Sequence, residues 1–237
     1  MNHRIKNHSS GFTLIELMLA MTFISVLLIA IAMTTIQISN IYNKGITLRE
    51  VNQAGRAVSD DLQRSINNSA PFDLAAQGDQ ATYINLGNGG RLCVGKYSYL
   101  WNYGKAISDG QPSSQLNKYQ DNGSTYIRFA KAVDGDHSLC KNNGSEQPKQ
   151  SDVTELLATG DRDLAIHSFK ISRTADESSI GESMYAISFV LGTNDQSLLT
   201  TNDASCQPPS DAAGGEDYCS VNQFDIVARA GNLSEGN

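Results

Sequence analysis

The chemically most distinctive residue in this sequence is Glu16, a single carboxylate within a long apolar run. It is the one charged residue in the range 12–36, and the range 17–33 contains no charge, glycine or proline. The run reaches the roughly 20 residues that a bilayer-spanning helix needs. Because an ionisable group in such a segment is costly to take out of water, its presence indicates a function and a partner.

Such a run near an N-terminus is typical of a cleaved secretory signal, a plain single-span anchor, or an anchor that also assembles with other chains. A secretory signal has a shorter apolar core that ends in small residues at its cut site. Here the run continues into Thr34–Ile38 without such a site. A plain anchor stays an open alternative, although it does not explain Glu16.

The residues that surround this carboxylate form a specific motif. A short leader with Arg4 and Lys6 precedes Gly11 and Phe12, and Glu16 is the fifth residue after Gly11. The stretch GFTLIEL resembles the prepilin cleavage motif of type IV pilins and type II secretion pseudopilins. The resemblance implies that a prepilin peptidase cuts between Gly11 and Phe12 on the cytoplasmic side, and that the new Phe12 amine is methylated.

The same resemblance implies the partners and the location. The partners are the prepilin peptidase, other pilin or pseudopilin subunits, an inner-membrane assembly platform, and membrane lipid before assembly. The chain would cross the inner membrane once, with its head outside the cytoplasm, before entering a pilus or pseudopilus filament. Glu16 of one subunit would then pair with the Phe12 amine of a neighbour and set the register, since an unpaired buried charge is destabilising. The alternative is that Glu16 only caps its own helix, where a carboxylate is mildly favourable.

The residues after the apolar run predict a continuation of the same helix. Apolar residues recur at three- and four-residue spacing over 51–66, and no proline precedes Pro71. We therefore predict one helix over Phe12–Asn68, on the order of 85 Å long. Gly45 and Gly55 each cost this helix about 1 kcal/mol relative to alanine and allow bending. The predicted organisation is a leader at 1–11, a transmembrane and filament-core helix at 12–36, its amphipathic continuation at 37–68, and a globular head domain at 69–237.

The sequence pattern of the head domain predicts strands joined by long polar loops. Together with the helix this predicts an α+β, pilin-like fold in which the long N-terminal helix, half of it transmembrane, packs on an antiparallel sheet. The pattern predicts a hairpin of Arg91–Val94 and Ser98–Tyr103 around Gly95-Lys96. It also predicts a short helix over Asp152–Ala158, capped by Asp152 or Ser151. Further strands are predicted at Thr125–Ala132, Leu164–Arg173, Met184–Leu191 and Phe224–Arg229, and irregular connections at 104–124, 134–150 and 193–216.

The sequence has four cysteines, Cys93, Cys140, Cys206 and Cys219. An even number in an exported chain favours two disulfides, and four cysteines allow three pairings. The pairing Cys206–Cys219 closes a short loop and is favoured, which leaves Cys93 with Cys140. A four-cysteine metal site is the alternative, but no two cysteines have the spacing C-x-x-C. We therefore predict no metal and no cofactor.

Charge and motif content exclude several classes of function. Without Arg4 and Lys6 the chain has 16 basic and 25 acidic residues, a net charge of −9. This balance argues against nucleic acid as a partner, because phosphate contacts need clustered lysine and arginine. Neither His137 nor His167 lies in a catalytic or metal-binding signature, and no nucleophile elbow or phosphate loop is present. The sequence therefore predicts that the protein is not an enzyme.

Two groups of side chains suggest ligands, but each has a simpler interpretation. The acids at 134 and 136 that precede His137 could suggest calcium, and a turn is favoured. A solvated loop is likewise favoured for the acids that flank the last two cysteines. Trp101, on an aromatic-rich strand, could line a ligand site, and core packing is favoured. The acids near the last two cysteines are Asp203, Asp211, Glu216 and Asp217, and the neighbouring aromatic residues on the strand are Tyr97, Tyr99 and Tyr103.

The size of the chain bears on its class. Cleavage after Gly11 would leave 226 residues, more than major pilins usually have. The helix also lacks the proline that major pilins commonly carry. The ranges 56–64 and 224–229 resemble the post-membrane helix and the final strand of W-type minor pilins and J-type pseudopilins. We therefore expect a minor pilin-like subunit in initiation or at the tip, serving adhesion, motility or DNA uptake. The alternatives are a minor pseudopilin and a tip-displayed adhesin or ligand-binding module.

Overall fold

The computed structural model describes residues 11–110, 117–157, 162–177, 182–200, 205–208 and 218–231. The chain divides into two compact units, Met1–Asn43 and Lys44–Asn237. Helix α1, Leu14–Asn67, contributes to both units. Its bounds confirm the predicted long helix, which the sequence placed over Phe12–Asn68.

In the first unit, no described residue buries α1 over the range 14–39. Every residue from Gly11 to Ser39 is exposed, including large apolar side chains such as Phe12, Phe23 and Ile36. This helix is long and apolar enough to cross a membrane. A helix that is apolar around its whole circumference has no water-stable surface of its own, so this segment needs lipid or other protein around it.

In the second unit, α1 becomes amphipathic and buries one face. Val51, Val58, Leu62 and Ile66 are fully buried, three or four residues apart with Gly55 between the first two. Gly55 lies under an aromatic ring, since a Cβ at this position would stand 2.0–2.5 Å from the ring of Phe224. The close approach of that ring therefore requires a glycine here.

Two antiparallel sheets form the rest of the second unit. The first has the order β1-β2-β3-β4-β5 and the second has the order β6-β7-β8. A two-residue loop joins β2 to β3, with Val94 opposite Tyr97 and Gly95 at φ +61°; this confirms the predicted hairpin. The strands are β1 Tyr83–Asn85, β2 Gly89–Val94, β3 Tyr97–Asn102, β4 Phe129–Val133, β5 Val153–Glu155, β6 Leu164–Glu177, β7 Glu182–Thr193 and β8 Val221–Ala230.

One hydrophobic core joins α1 to both sheets. Trp101 of β3 is fully buried and lies 4.3 Å from the ring of Phe169 of β6, between ring centroids. Phe189 of β7 and Phe224 of β8 continue this row of rings toward α1, with centroids 5.2 Å apart. The core interpretation of Trp101 is therefore confirmed, and Tyr99 is also fully buried.

Hydrogen bonds from α1 cover the outer edge of β8. Gln63 donates to the carbonyl of Val227 at 2.9 Å, and Asn67 accepts from the amide of Arg229 at 3.1 Å. An open strand edge is prone to pair with another chain. The final strand is thus tied to the helix by polar contacts as well as by the aromatic packing.

The predicted short helix over Asp152–Ala158 is wrong. Gln150–Asp152 is a single 3₁₀ turn, and Val153–Glu155 forms β5 against β4. The carboxylate of Glu155 accepts hydrogen bonds from the amides of Arg128 and Phe129 at 3.1 and 2.6 Å. Pairing with a distant strand therefore overrides the local helical signal; residue 158 itself is outside the described part.

Three other expectations need smaller corrections. The stretch 104–124 is not wholly irregular, because it begins with a short helix, α2, Gly104–Ser108. The fourth strand begins at Phe129 instead of at Thr125, since Tyr126 forms only an isolated bridge with Lys118. The single expected sheet is two sheets, which meet at a parallel bridge between Tyr103 and Ile166.

Candidate functional site

The candidate assembly site begins where α1 begins, at Thr13 and Glu16. The amide and the hydroxyl of Thr13 both donate to Oε2 of Glu16, at 2.9 and 2.8 Å. The amide of Glu16 donates in return to the Thr13 hydroxyl at 3.3 Å. This reciprocal arrangement is a capping box, which satisfies backbone donors at the first turn of a helix.

The capping box gives Glu16 a role inside its own chain. The alternative that sequence analysis left open, in which Glu16 caps its own helix, thus describes the geometry of the single chain. The carboxylate is nevertheless fully exposed, and none of its bonds in the described chain is to a cation. Its second oxygen, Oε1, therefore remains able to accept from a donor on another molecule.

The remaining polar side chains of the apolar segment are satisfied within the helix. The hydroxyls of Thr22, Ser25, Thr34 and Thr35 donate to carbonyls three or four residues earlier, at 2.8–3.1 Å. Such bonds make a hydroxyl compatible with an apolar environment. Glu16 is thus the one charge that the apolar segment carries, at the end next to Phe12.

The two residues of the predicted cleavage site, Gly11 and Phe12, lie before the first turn of α1. Gly11 and Phe12 are exposed and have no regular secondary structure, and a Cβ at Gly11 would meet nothing within 4 Å. This geometry leaves the Gly11–Phe12 peptide bond accessible. Arg4 and Lys6 of the predicted leader lie outside the described residues.

The structure contains both disulfides of the favoured pairing, Cys93–Cys140 and Cys206–Cys219. Cys93 and Cys140 are fully buried and join β2 to the 3₁₀ turn Ser138–Cys140. The two bonds close loops with sequence separations of 47 and 13 residues. Both restrain loops of the second unit, which is the structural role expected of disulfides in an exported domain.

The Asp-Gly-Asp segment is a turn. The carboxylate of Asp134 accepts from the amides of Ser138 and Leu139 at 2.9 and 3.0 Å and from the hydroxyl of Ser98 at 2.7 Å. His137 contacts the carbonyl of Gly95 at 2.9 Å. Protein donors thus occupy the Asp134 oxygens that a cation would need.

A buried arginine is the feature that sequence analysis missed. Arg91 is fully buried in β2 and donates to the carbonyls of Leu139 and Glu146 at 2.5 and 2.6 Å, and to Asn117 at 3.3 Å. Burial lowers the pKa of Arg91 to about 10. Arg91 thereby holds the loop 138–146 on the sheet. Its sequence signal was weak, since a lone arginine in an apolar strand normally marks an exposed position.

A second missed feature joins α1 to β3 and β4. The carboxylate of Asp61 accepts from the Tyr99 hydroxyl at 2.6 Å and from Nζ of Lys131 at 2.8 Å, and Ser65 contacts the same hydroxyl at 2.6 Å. Burial, followed by the hydrogen bond with Asp61, raises the pKa of Tyr99. The network fixes the helix on the first sheet.

Within the described ranges, no three histidine, cysteine, aspartate or glutamate side chains are grouped as a metal site would need. The acids Asp203, Asp211, Glu216 and Asp217 lie outside these ranges. Comparison of the chain with protein-family models, with curated proteins and with solved structures gives no match.

Proposed function

We propose that this protein is a pilin-like structural subunit that is cut between Gly11 and Phe12 and assembled into a filament through its N-terminal helix. In this proposal the chain first crosses the inner membrane once, with its second unit outside the cytoplasm. It then leaves the lipid when sister subunits replace lipid around the helix. The subunit has no catalytic role, and the prepilin peptidase, the assembly platform and other pilin subunits are its partners.

The observation that carries the proposal is the uncovered helix of the first unit. Every residue from Gly11 to Ser39 is exposed, and the hydroxyls of Ser25, Thr34 and Thr35 are satisfied by carbonyls of the helix itself. An exposed apolar surface of this extent marks a membrane or protein interface. The Gly11-Phe12 motif and Glu16 at its start favour an assembling subunit over a plain anchor.

Size supports the minor class of subunit. A head domain of residues 69–237, with two sheets and two disulfides, is larger than a repeated shaft subunit needs. We propose a minor pilin of the W-like type, in initiation or at the tip of a type IV pilus. A minor pseudopilin of a type II secretion system has the same processing motif. Variants of Glu16 test assembly through the N-terminal helix, which is the property that both classes share.

The test must separate two roles of Glu16, the capping box and a charge pair with the amine of a neighbouring subunit. Glutamine can replace glutamate in a capping box but carries no charge. Glu16→Gln therefore retains the cap and removes the ion pair, whereas Glu16→Leu removes both. Thr22→Val is a matched control, because it removes a polar side chain from the same exposed helix without touching the first turn.

The assay measures membrane insertion and recovery of the protein in sheared filaments from cells that carry a complete assembly system. We expect all three variants to insert into the membrane. We expect Glu16→Gln and Glu16→Leu to lose at least tenfold in filament incorporation, and Thr22→Val to assemble normally. Normal incorporation of Glu16→Gln would contradict the charge-pairing argument and leave Glu16 with the capping role alone.

A further inference from the structure

The face of α1 that points away from the sheets carries a row of arginines that form no ion pair with a described residue. Arg49, Arg56 and Arg64 are seven and eight residues apart, close to two helical turns each, and all three are exposed. We call them the arginine stripe. The buried residues Val51 and Val58 lie on the opposite side of the helix. The sheets that pack on that buried side therefore cannot reach the stripe.

The arginines in the sheets and loops behave differently. Those described there have partners within the chain: Arg128 bonds to Asp163, Arg173 donates to Ser183, and Arg162 lies over the ring of Tyr218. Arg91 is bonded in the core, and Arg229 is also engaged. The three stripe arginines have no such contact to any described residue.

Among the described residues, the stripe also forms no ion pair along its own helix. Asp60 lies four residues from both Arg56 and Arg64, a spacing at which ion pairs form, but no ion pair closes there. The ion pairs among described residues are Arg128–Asp163 and Lys131–Asp61. Arg64 also lies in the last turn, where a cation is favoured by the helix dipole. That effect does not apply to Arg49 and Arg56.

The head domain offers the complementary charge. Residues 69–237 contain 12 basic and 21 acidic residues, a net charge of −9. Arginine is favoured at protein interfaces because its planar group binds carboxylates in two-point contacts. We propose that the arginine stripe docks on the acidic head domain of a second copy of this chain. Such a contact joins unlike surfaces of the two copies.

This inference deepens the proposed function and rests on it, and its test uses a different readout. Gln53 is exposed among the stripe arginines, so we replace it with the photoreactive amino acid benzoylphenylalanine in the full chain. Equal amounts of ¹⁵N-labelled and unlabelled protein are reconstituted together in phospholipid vesicles and irradiated. Mass spectrometry then shows which residues of the second copy are linked. Trp101 fluorescence checks that each variant is folded.

We expect adducts between copies that map to residues 69–237, with a yield that falls as salt rises from 50 to 500 mM. The double variant Arg49→Glu/Arg56→Glu should lower the yield at least tenfold. Lys105→Glu/Lys170→Glu changes the net charge equally but leaves the stripe intact and makes the head domain more acidic, so its yield should not fall.

Several outcomes would overturn the inference: no adduct between copies, adducts on lipid or on the α1 helix of the second copy, or an equal loss in both double variants. The proposed function is tested separately by the start of the mature chain. A chain that begins at Phe12 but gives no adduct from position 53 would refute the docking of the arginine stripe and leave the proposed function intact. A chain that keeps its leader would refute the processing step, whatever the cross-linking result.

Discussion

Gly45 and Gly55 lie in the same helix, and the structure predicts that alanine has opposite effects at the two positions. A Cβ at Gly45 would meet nothing within 4 Å, whereas a Cβ at Gly55 would stand 2.0–2.5 Å from three ring carbons of Phe224. Gly45→Ala should therefore stabilise the protein by about 1 kcal/mol, the difference in helix propensity. Gly55→Ala gains the same propensity but must displace the ring.

The loss of stability in Gly55→Ala depends on how firmly the ring of Phe224 is held in the core. Phe224 stacks on Phe189, with ring centroids 5.2 Å apart, so a shift of the ring disturbs the aromatic core. Overpacking of a core costs about 1–3 kcal/mol. Subtracting the gain of about 1 kcal/mol in propensity leaves Gly55→Ala destabilised by about 1 kcal/mol. The two variants should differ by about 2 kcal/mol, or about 4–8 °C in Tm for a chain of this size.

The assay is unfolding by denaturant or heat in detergent micelles, followed by fluorescence of the single tryptophan, Trp101, which is fully buried. Phe224→Ala provides the internal control, because without the large ring Gly55→Ala should become neutral or stabilising. Equal or greater stability of Gly55→Ala relative to Gly45→Ala would refute the reasoning. So would a Gly55→Ala effect that is unchanged in the Phe224→Ala background.

The remaining predictions concern the disulfides and the alkaline pH range. The two disulfides close loops with sequence separations of 47 and 13 residues. Loop entropy predicts that replacing both cysteines of a pair by serine lowers the free energy of unfolding by about 4 kcal/mol for Cys93–Cys140 and by about 3 kcal/mol for Cys206–Cys219. Calorimetry should therefore show the smaller loss of Tm for the second pair. The pKa of Tyr99 is raised in the folded state. The contribution of Tyr99 to the free energy of unfolding is therefore complete below its unfolded pKa of about 10, and it declines as pH rises above that value. We expect the free energy of unfolding to fall above pH 10, and to fall less steeply in Tyr99→Phe; identical slopes in the two proteins would contradict this assignment.

The long helix and most strands could be predicted because their signals are local. Three- and four-residue spacing of apolar residues over 51–66 indicates a buried helical face, and the two-residue loop at Gly95 indicates a hairpin. The Gly11–Glu16 motif could be recognised for the same reason, since its residue types and spacing are contiguous.

Contacts between distant residues could not be predicted in this way. Val153–Glu155 forms a strand because it pairs with β4, and Glu155 also binds the amides of Arg128 and Phe129 at the start of β4, 27 and 26 residues earlier. Gly55 lies against the ring of Phe224, a residue of β8 that its local sequence does not indicate. Arg91 is tolerated in the core because carbonyls of the loop 138–146 come close enough to accept its bonds.

The central claim is that the apolar helix is exposed for assembly after removal of a leader. The most direct measurement is the mass of the protein's N-terminal peptide after expression with and without an active prepilin peptidase. The account predicts an intact leader without the peptidase and, with it, a mature chain that starts at N-methylated Phe12. A chain that still begins at Met1 in cells with active peptidase would contradict the claim.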